Sequence, residues 1–390
     1  MHGVVTIFYD EPDWAFHNIA ANLARIAPPD FSFLALSRDE WFGRTRAAEA
    51  AVAKSDIVVF LWRFDLLAYL DTLSEAGWGR LLAPDRPALV AMIYDHLYTD
   101  PEDLDYYGNP FALSDVCGAC SARLRDIYTS APHLPVPAHV VPDGVDTAFF
   151  SPDDREPTGP LRIGWVGNSA WGITEGEDFK GRRTILEPAI QILRARGVRF
   201  ELHLADKAER RLPRSEMPAF YRGIDVLVCS AAIEGTPNPV LEAMASGTAV
   251  VSTDVGIVRD VFGSEQRRFI LSERSPEALA EALETLAGDP TTLARLRAEN
   301  LAARPAISWE SRWPAWQALF DEARAARMTA YGATVTENLR KFRSRRRTRL
   351  ERLRRTVAGN RLAFRAYETA IRRFPGLVRR TKRLIERHTP

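Results

Sequence analysis

Glu234 and Glu242 frame the stretch of this chain richest in chemistry, Glu-Gly-Thr-Pro-Asn-Pro-Val-Leu-Glu, which runs on into Ala-Met-Ala-Ser-Gly247. Apolar, strand-like runs flank it, Asp225 to Cys229 before and Thr248 to Ser252 after. Asn238 followed by Pro239 reads as a helix N-cap and a first helical residue: an Asn side chain can accept from the free N–H groups of the first turn, and Pro has no N–H to leave unpaired there. Gly247 stands where a helix end calls for a left-handed residue. The expected order is strand, loop, short helix, strand, with one carboxylate in the loop and one in the first helical turn. N–H groups at such a helix start attract anions. Two acids beside an anion site suit a ligand that carries both hydroxyls and phosphates, as a sugar nucleotide does.

The elements that must position these groups alternate along the chain. Val4–Tyr9, Phe31–Leu36, Asp56–Leu61, Ala88–Tyr94, the neighbourhood of Cys117–Ser121 and His139–Pro142 read as strands. Helical spacing marks Trp14–Ile26, Gly43–Lys54 and Leu66–Leu82 between them. Pro142–Pro160, rich in Pro, Asp, Gly and Thr, reads as a linker. The alternation then restarts with strands at Leu161–Val166 and Phe200–Leu204, the central stretch, and a last strand at Phe269–Leu271. Helices are expected at Thr184–Arg196 (stopped by Gly197), Met217–Arg222, Pro276–Ala287, Thr291–Arg304 and Trp309–Ala326. Such alternation builds parallel sheets, and two α/β halves place a cleft at the carboxyl ends of their strands.

The 390 residues exceed one ordinary core. No apolar run approaches the ~20 residues of a membrane span, and the start of the chain lacks a signal-peptide pattern. Three cysteines make no disulfide framework, so a reducing, cytoplasmic setting is expected. The net charge of +1 conceals a division: Thr336–Pro390 carries 19 Lys/Arg against 4 Asp/Glu, a local +15 that leaves −14 on the rest. Leu339, Phe342, Leu350, Leu353 and Val357 lie among those cations at helix-compatible spacing, a pattern suited to an anionic membrane surface, with protein docking as the alternative. No aromatic stacking platform accompanies the charge, which disfavours nucleic acid.

Glu234–Glu242 resembles the E-x7-E element of the retaining family-4 glycosyltransferases. Pro218–Tyr221, Ile224–Ser230, the run to Gly256 and the segment Val140–Pro152 agree in register with that family. The resemblance is strongest over about 139–262, weak in the N-terminal half and absent from the tail. It implies an α/β, GT-B fold: an N-terminal Rossmann-like acceptor domain over 1–141, a linker over 142–160, a C-terminal Rossmann-like nucleotide-sugar domain over 161–308, a crossover helix over 309–334 and a basic amphipathic helical tail over 335–390. It also implies a retaining glycosyltransferase, working in bacterial surface glycan or lipid-linked saccharide synthesis. A UDP-sugar 2-epimerase of the same fold and a non-catalytic sugar-nucleotide-binding subunit are the alternatives.

By resemblance, Glu242 would accept from the ribose hydroxyls, Glu234 would sit by the donor sugar, and Gly235, Thr236, Pro237 and Asn238 would hold phosphate and sugar oxygens through the loop N–H groups. Lys180 would neutralise the donor diphosphate, since the leaving group gains negative charge. Neither a cofactor nor a metal is implied. The chain departs from the family at three places. Asn168 follows Gly167 where the family has Arg, which leaves Arg182 or Arg183 as a replacement. Asp10-Glu-Pro-Asp-Trp14 stands where a Gly-rich loop is expected, putting acid and aromatic groups on the acceptor side. Asp95-His96 offers a candidate for the family's strand-end histidine. Asp103 and Asp105, in an acidic loop, make a weak metal pattern, and Cys117/Cys120 read as small buried side chains rather than a zinc or redox pair.

Overall fold

The computed structural model describes residues 3–153, 159–173 and 176–357, with no side-chain placement for residue 43 or 347–357. Most of the expected basic tail, 358–390, lies outside the described residues, as do the side chains of Leu350, Leu353 and Val357.

The first sheet has six parallel strands in the order β2-β1-β3-β4-β5-β6. These are β1 (Gly3–Phe8), β2 (Phe31–Leu36), β3 (Ile57–Phe60), β4 (Ala88–Ile93), β5 (Val116–Ala119) and β6 (His139–Val140). β3 and β4 are buried throughout, because helices cover both faces of the sheet, as continuous apolar runs in parallel sheets require. The helices are α1 (Ala15–Ile26), α2 (Arg38–Gly43), α3 (Thr45–Ala53), α4 (Arg63–Thr72), α5 (Glu75–Leu81), α6 (Pro101–Tyr107) and α7 (Ala122–Ser130). The single helix expected over Leu66–Leu82 is two. Ser74 starts the second by accepting from Gly77 N–H at 3.2 Å, a local competition that apolar spacing does not reveal.

The second sheet has four parallel strands in the order β10-β9-β7-β8: β7 (Leu161–Gly167), β8 (Phe200–Asp206), β9 (Val226–Cys229) and β10 (Ala249–Ser252). Around it lie α8 (Glu187–Ala195), α9 (Met217–Gly223), α10 (Asn238–Ala245), α11 (Val258–Val261), α12 (Pro276–Gly288) and α13 (Pro290–Ile307). No strand forms at Phe269–Leu271. Residues Gln266–Phe269 make a 3-10 turn, and Ile270 meets Ser252 in one isolated bridge. The Gln266 amide accepts from Val250 N–H at 3.2 Å and donates to Val250 C=O at 2.5 Å, so it occupies the edge groups of β10 that another strand would need.

The last two helices, α14 (Trp309–Arg327) and α15 (Ala330–Val357), return to the first sheet. Trp313, Trp316, Leu319, Phe320 and Ala323 enter one face of its core. The crossing is pinned where Val145 N–H donates to Ile307 C=O at 2.9 Å, and a Cβ on Gly144 would come within 2.6 Å of Trp309 backbone. Val335 and Leu339 are buried in the opposite core, with Phe342 packed alongside. Buried Arg86 forks onto Asp115 at 2.6 and 2.7 Å and also donates to Gly332 C=O and Thr336 Oγ1 of α15. The start of the basic segment is therefore part of the N-terminal body. Its apolar residues Leu339 and Phe342 face the protein core, which corrects the expectation that they face a membrane: Trp78, Phe64 and their neighbours offer a dry surface closer at hand.

Candidate active site in the interdomain cleft

The carboxyl ends of the parallel strands carry the polar residues, as the architecture demands. The loop after β1 presents Asp10 and Trp14, and β4 leads into Tyr94, Asp95 and His96. β7 leads into Asn168, and β9 into the Glu234 loop. The two halves touch across the cleft. The Lys207 ammonium lies over the Trp14 ring. Arg211 donates to Pro12 C=O at 3.3 Å, and Arg123 pairs with Asp254 at 3.1 Å.

The structure brings Lys180 and Glu234 together as an ion pair, with the ammonium also 5.0 Å from the centre of the Trp171 ring. The backbone behind Lys180 is firmly held. Gly181 has φ +70, and a Cβ there would stand 2.1 Å from Ser230 C=O, so only Gly permits the approach. Arg274 clamps the same junction through Ser230 C=O at 3.0 Å and Asp178 C=O at 2.8 Å. Burial pushes the Asp178 carboxyl upward, but hydrogen bonds from Thr184, Arg183 and Gly181 outweigh it and leave the pKa below the ordinary value.

Glu242 occupies the other end. α10 begins at Asn238 and no side chain caps it, so Asn238 is the first helical residue rather than the N-cap. Glu242 consequently sits in the second turn, not the first. Its Oε2 accepts from Tyr221 O–H at 2.7 Å, and Arg214 stands 3.9 Å from Oε1. Burial raises the carboxyl to about 7 against the lowering effects of Tyr221 and Arg214. The side chain lines a pocket of about 170 Å³ with Asn18, Asn22, Asp146, Arg214 and Asn238. The Arg214 guanidinium is braced 4.9 Å from the Phe149 ring. Arg214 and Tyr221 are site residues that sequence reasoning missed. Tyr221 carries only core-like spacing, and Arg214 lies in a polar turn among other arginines.

The remaining candidates fall into place unevenly. Gly235, Thr236 and Pro237 are buried and Asn238 is half-buried. A Cβ on Gly235 would lie 2.4 Å from Tyr94 C=O, which shows how closely the loop abuts the first domain. Asn168 Oδ1 accepts from Ala170 N–H at 3.1 Å, next to Gly167. Arg182 does not replace the missing arginine: it pairs with Asp206, with Glu209 at 2.7 Å and with Glu187 at 3.3 Å. Arg183 is exposed, with one bond of 3.4 Å to Glu177 C=O. Lys207, whose N–H donates to Gly167 C=O at 2.9 Å, is a cation beside the Asn168 position that the sequence did not single out.

On the N-terminal side of the cleft, Asp95 is buried and accepts from the fully buried Arg63 at 2.9 Å. His96 adjoins them with Nδ1 buried, and burial lowers its pKa. Burial raises the Asp10 carboxyl. Asp103 and Asp105 lie on α6 rather than in a loop. Cys117 and Cys120 are buried free thiols.

A family model, Glycosyl transferases group 1, matches residues 208–301. Two curated relatives extend the likeness. An MMP alpha-(1->4)-mannosyltransferase of Mycolicibacterium hassiacum is 28% identical over 236 residues, 54% of this chain and 54% of its own. A lipopolysaccharide core biosynthesis mannosyltransferase, LpsB, of Rhizobium meliloti is 28% identical over 200 residues, 44% of this chain and 57% of its own. The chain thus spans about half the length of the curated relatives it matches. Among solved structures, a sucrose-phosphate synthase of Thermosynechococcus elongatus superposes with TM-score 0.64 at 13% identity, covering 83% of this chain and all 100% of that one. Anabaena HepE in complex with UDP-glucose gives 0.58 at 12% identity, covering 83% and 100%. The fold is GT-B, with two parallel-sheet α/β units and C-terminal helices returning to the first.

Proposed function

We propose that this protein is a retaining glycosyltransferase that moves a sugar from a nucleotide-sugar donor to an acceptor hydroxyl, in the assembly of a bacterial surface glycan or lipid-linked saccharide. The observation that carries the reading is the paired arrangement along one loop and helix. Lys180 is held at Glu234 at one end, and Glu242 lines a polar pocket at the other. Glu242 takes the ribose hydroxyls, with Arg214 and Asn238 beside it. Lys180 meets the diphosphate. The acceptor O–H enters from the Asp10, Trp14, Asp95 and His96 side. Its oxygen bonds to the anomeric carbon as the carbon–oxygen bond to phosphate breaks, on the same face. The departing phosphate oxygen takes the acceptor proton, and Lys180 neutralises the charge that develops there. Glu234, partnered by Lys180, orients the sugar rather than forming a covalent intermediate. No step calls for a metal.

The relatives' printed activities support the reaction class, and the UDP-glucose complex of the structural neighbour supports the donor class. Free thiols at Cys117, Cys120 and Cys229 fit a cytoplasmic setting. No described helix is long and apolar enough to cross a membrane. Exposed Arg340, Lys341 and Arg345 on α15, continued by the cations of 358–390, would serve a peripheral contact with an anionic surface.

A thermal-shift panel of UDP, GDP and ADP with their sugar conjugates tests the proposal. A ligand that binds the native state raises the melting temperature. We expect one nucleotide series to do so, with loss of the shift in Glu242→Ala. No shift with any of them at millimolar concentration overturns the reading.

A further inference from the structure

Asp143, in the linker, has no part in the roles above, yet it is fully buried where the two halves meet. Its Oδ1 accepts from Tyr94 O–H at 2.7 Å, at the end of β4. Its other oxygen faces the hydroxyl of Thr236, and Thr236 in turn reaches Cys120 Sγ at the end of β5. Asp143 Oδ2 and Thr236 Oγ1 are both shut off from solvent, and neither has a hydrogen-bond partner among the described residues, so the two buried polar atoms have each other as the nearest recourse. Beside them, a Cβ on Gly235 would lie 2.4 Å from Tyr94 C=O and 2.5 Å from Cys120 Sγ. The Glu234 loop therefore rests flush on the ends of β4 and β5, with a buried carboxyl bridging the junction.

We propose that Asp143 is a positioning residue: through Tyr94 on one side and Thr236 on the other, it locks the Glu234 loop to the acceptor-side sheet and fixes the separation of Lys180–Glu234 from the acceptor groups. This rests on the glycosyltransferase reading. A transfer between two bound substrates is sensitive to small errors in their separation, which a buried carboxyl bonded to Tyr94 of one half and set against Thr236 of the other can fix. Few groups balance its charge. Arg312 of α14 faces it, itself near Asp260, while Tyr94 and Cys120 are neutral and Asp95 adds like charge to Cys120. Burial holds the Asp143 carboxyl up to about 7, against the hydrogen bond from Tyr94 and the nearby Thr236 hydroxyl. Near neutrality the bridge thus has two forms. As an acid it donates to Thr236 and frees the Thr236 proton for Cys120 or a ligand. As a carboxylate it accepts from Thr236 and holds that proton.

The test compares full-length wild type with Asp143→Asn, Asp143→Ala and Thr236→Val. Calorimetry gives the Kd for UDP, GDP and ADP, and nucleotide-sugar turnover gives kcat between about pH 5 and about pH 9. Asp143→Ala and Thr236→Val should lose about tenfold or more in kcat while nucleotide Kd stays within about threefold. Asp143→Asn, which keeps the acceptor for Tyr94 and gains a donor for Thr236, should retain kcat within about threefold. The inference is overturned if a folded Asp143→Asn loses as much kcat as Asp143→Ala, or if a folded Thr236→Val turns over like wild type. Melting temperatures of the Asn and Val variants establish folding should the Ala variant fail. If wild type binds none of the three nucleotides, the glycosyltransferase reading falls and this inference with it. If wild type binds and turns over while the variants match it, this inference alone falls.

Discussion

The two ends of the Glu234–Glu242 segment keep their carboxylates in opposite ways. Glu234 is neutralised by a partner, the Lys180 ammonium beside Trp171. Among the described residues Glu242 has a tyrosine donor and a guanidinium at 3.9 Å, and burial brings its pKa to about 7, so near neutrality its acid and carboxylate forms are both accessible. The first end is an electrostatic site assembled before ligand arrives. The second is a hydrogen-bonding site whose charge depends on what enters the pocket. Under the proposed reaction the difference would give them different work: charge stabilisation in the transition state at Lys180, and ground-state recognition at Glu242.

Removing Lys180 should break this contrast most severely. Lys180→Ala strips the cation from the leaving group and strands Glu234, and we expect turnover of the nucleotide sugar to fall about a hundred- to a thousandfold, measured as nucleoside diphosphate released. Glu242→Ala should act on binding instead. Losing hydrogen bonds to a charged acceptor costs about 1.5–3 kcal/mol, so the nucleotide Kd should weaken about ten- to a hundredfold with a smaller change in kcat. Equal losses of kcat in both variants would dissolve the distinction.

The next effect is on stability. Glu242 and Asp143 have folded pKa values raised to about 7. The native state therefore holds more protons than the unfolded chain between about pH 4 and about pH 7. Stability from these groups is present below that window and is lost as pH rises through it. The melting temperature of the ligand-free protein should fall from about pH 5 to about pH 8, and Glu242→Gln should flatten that slope. Asp178 and Asp206, lowered in the fold, act in the reverse sense at more acid pH, where protonation removes their contribution. The smallest effect is expected at Arg183. Its side chain is exposed and makes one long contact, so Arg183→Ala should change nucleotide Kd less than about threefold, whereas Lys207→Ala should change it more if Lys207 takes the part of the absent arginine.

Much of the fold was legible because buried parallel strands are short apolar runs. β2 at Phe31–Leu36 stands at the bounds that its residues suggest. Elsewhere side chains intervened. Ser74 divided one apolar helical run in two, and the Gln266 amide took the place of a strand on β10. At the site, the types and spacing of Glu234, Glu242 and Lys180 were legible, while their partners were not. Tyr221 lies 21 positions before Glu242 and Arg63 lies 32 before Asp95, separations that carry no periodic signal. Arg182 looked like a spare cation until Asp206 and Glu209 were seen to hold it.

By itself the sequence determined the alternation of strand and helix, and hence two parallel sheets with polar groups at their carboxyl ends. It also determined the motif that places two carboxylates along one loop and helix. Tertiary structure decided which carboxylate is paired and which has its pKa raised by burial, which arginines are held by carboxylates, and that the start of the basic segment covers a core. Apolar periodicity is a property of neighbours along the chain. The charge state of a buried acid depends on desolvation and on partners brought from distant elements, which only the folded chain assembles.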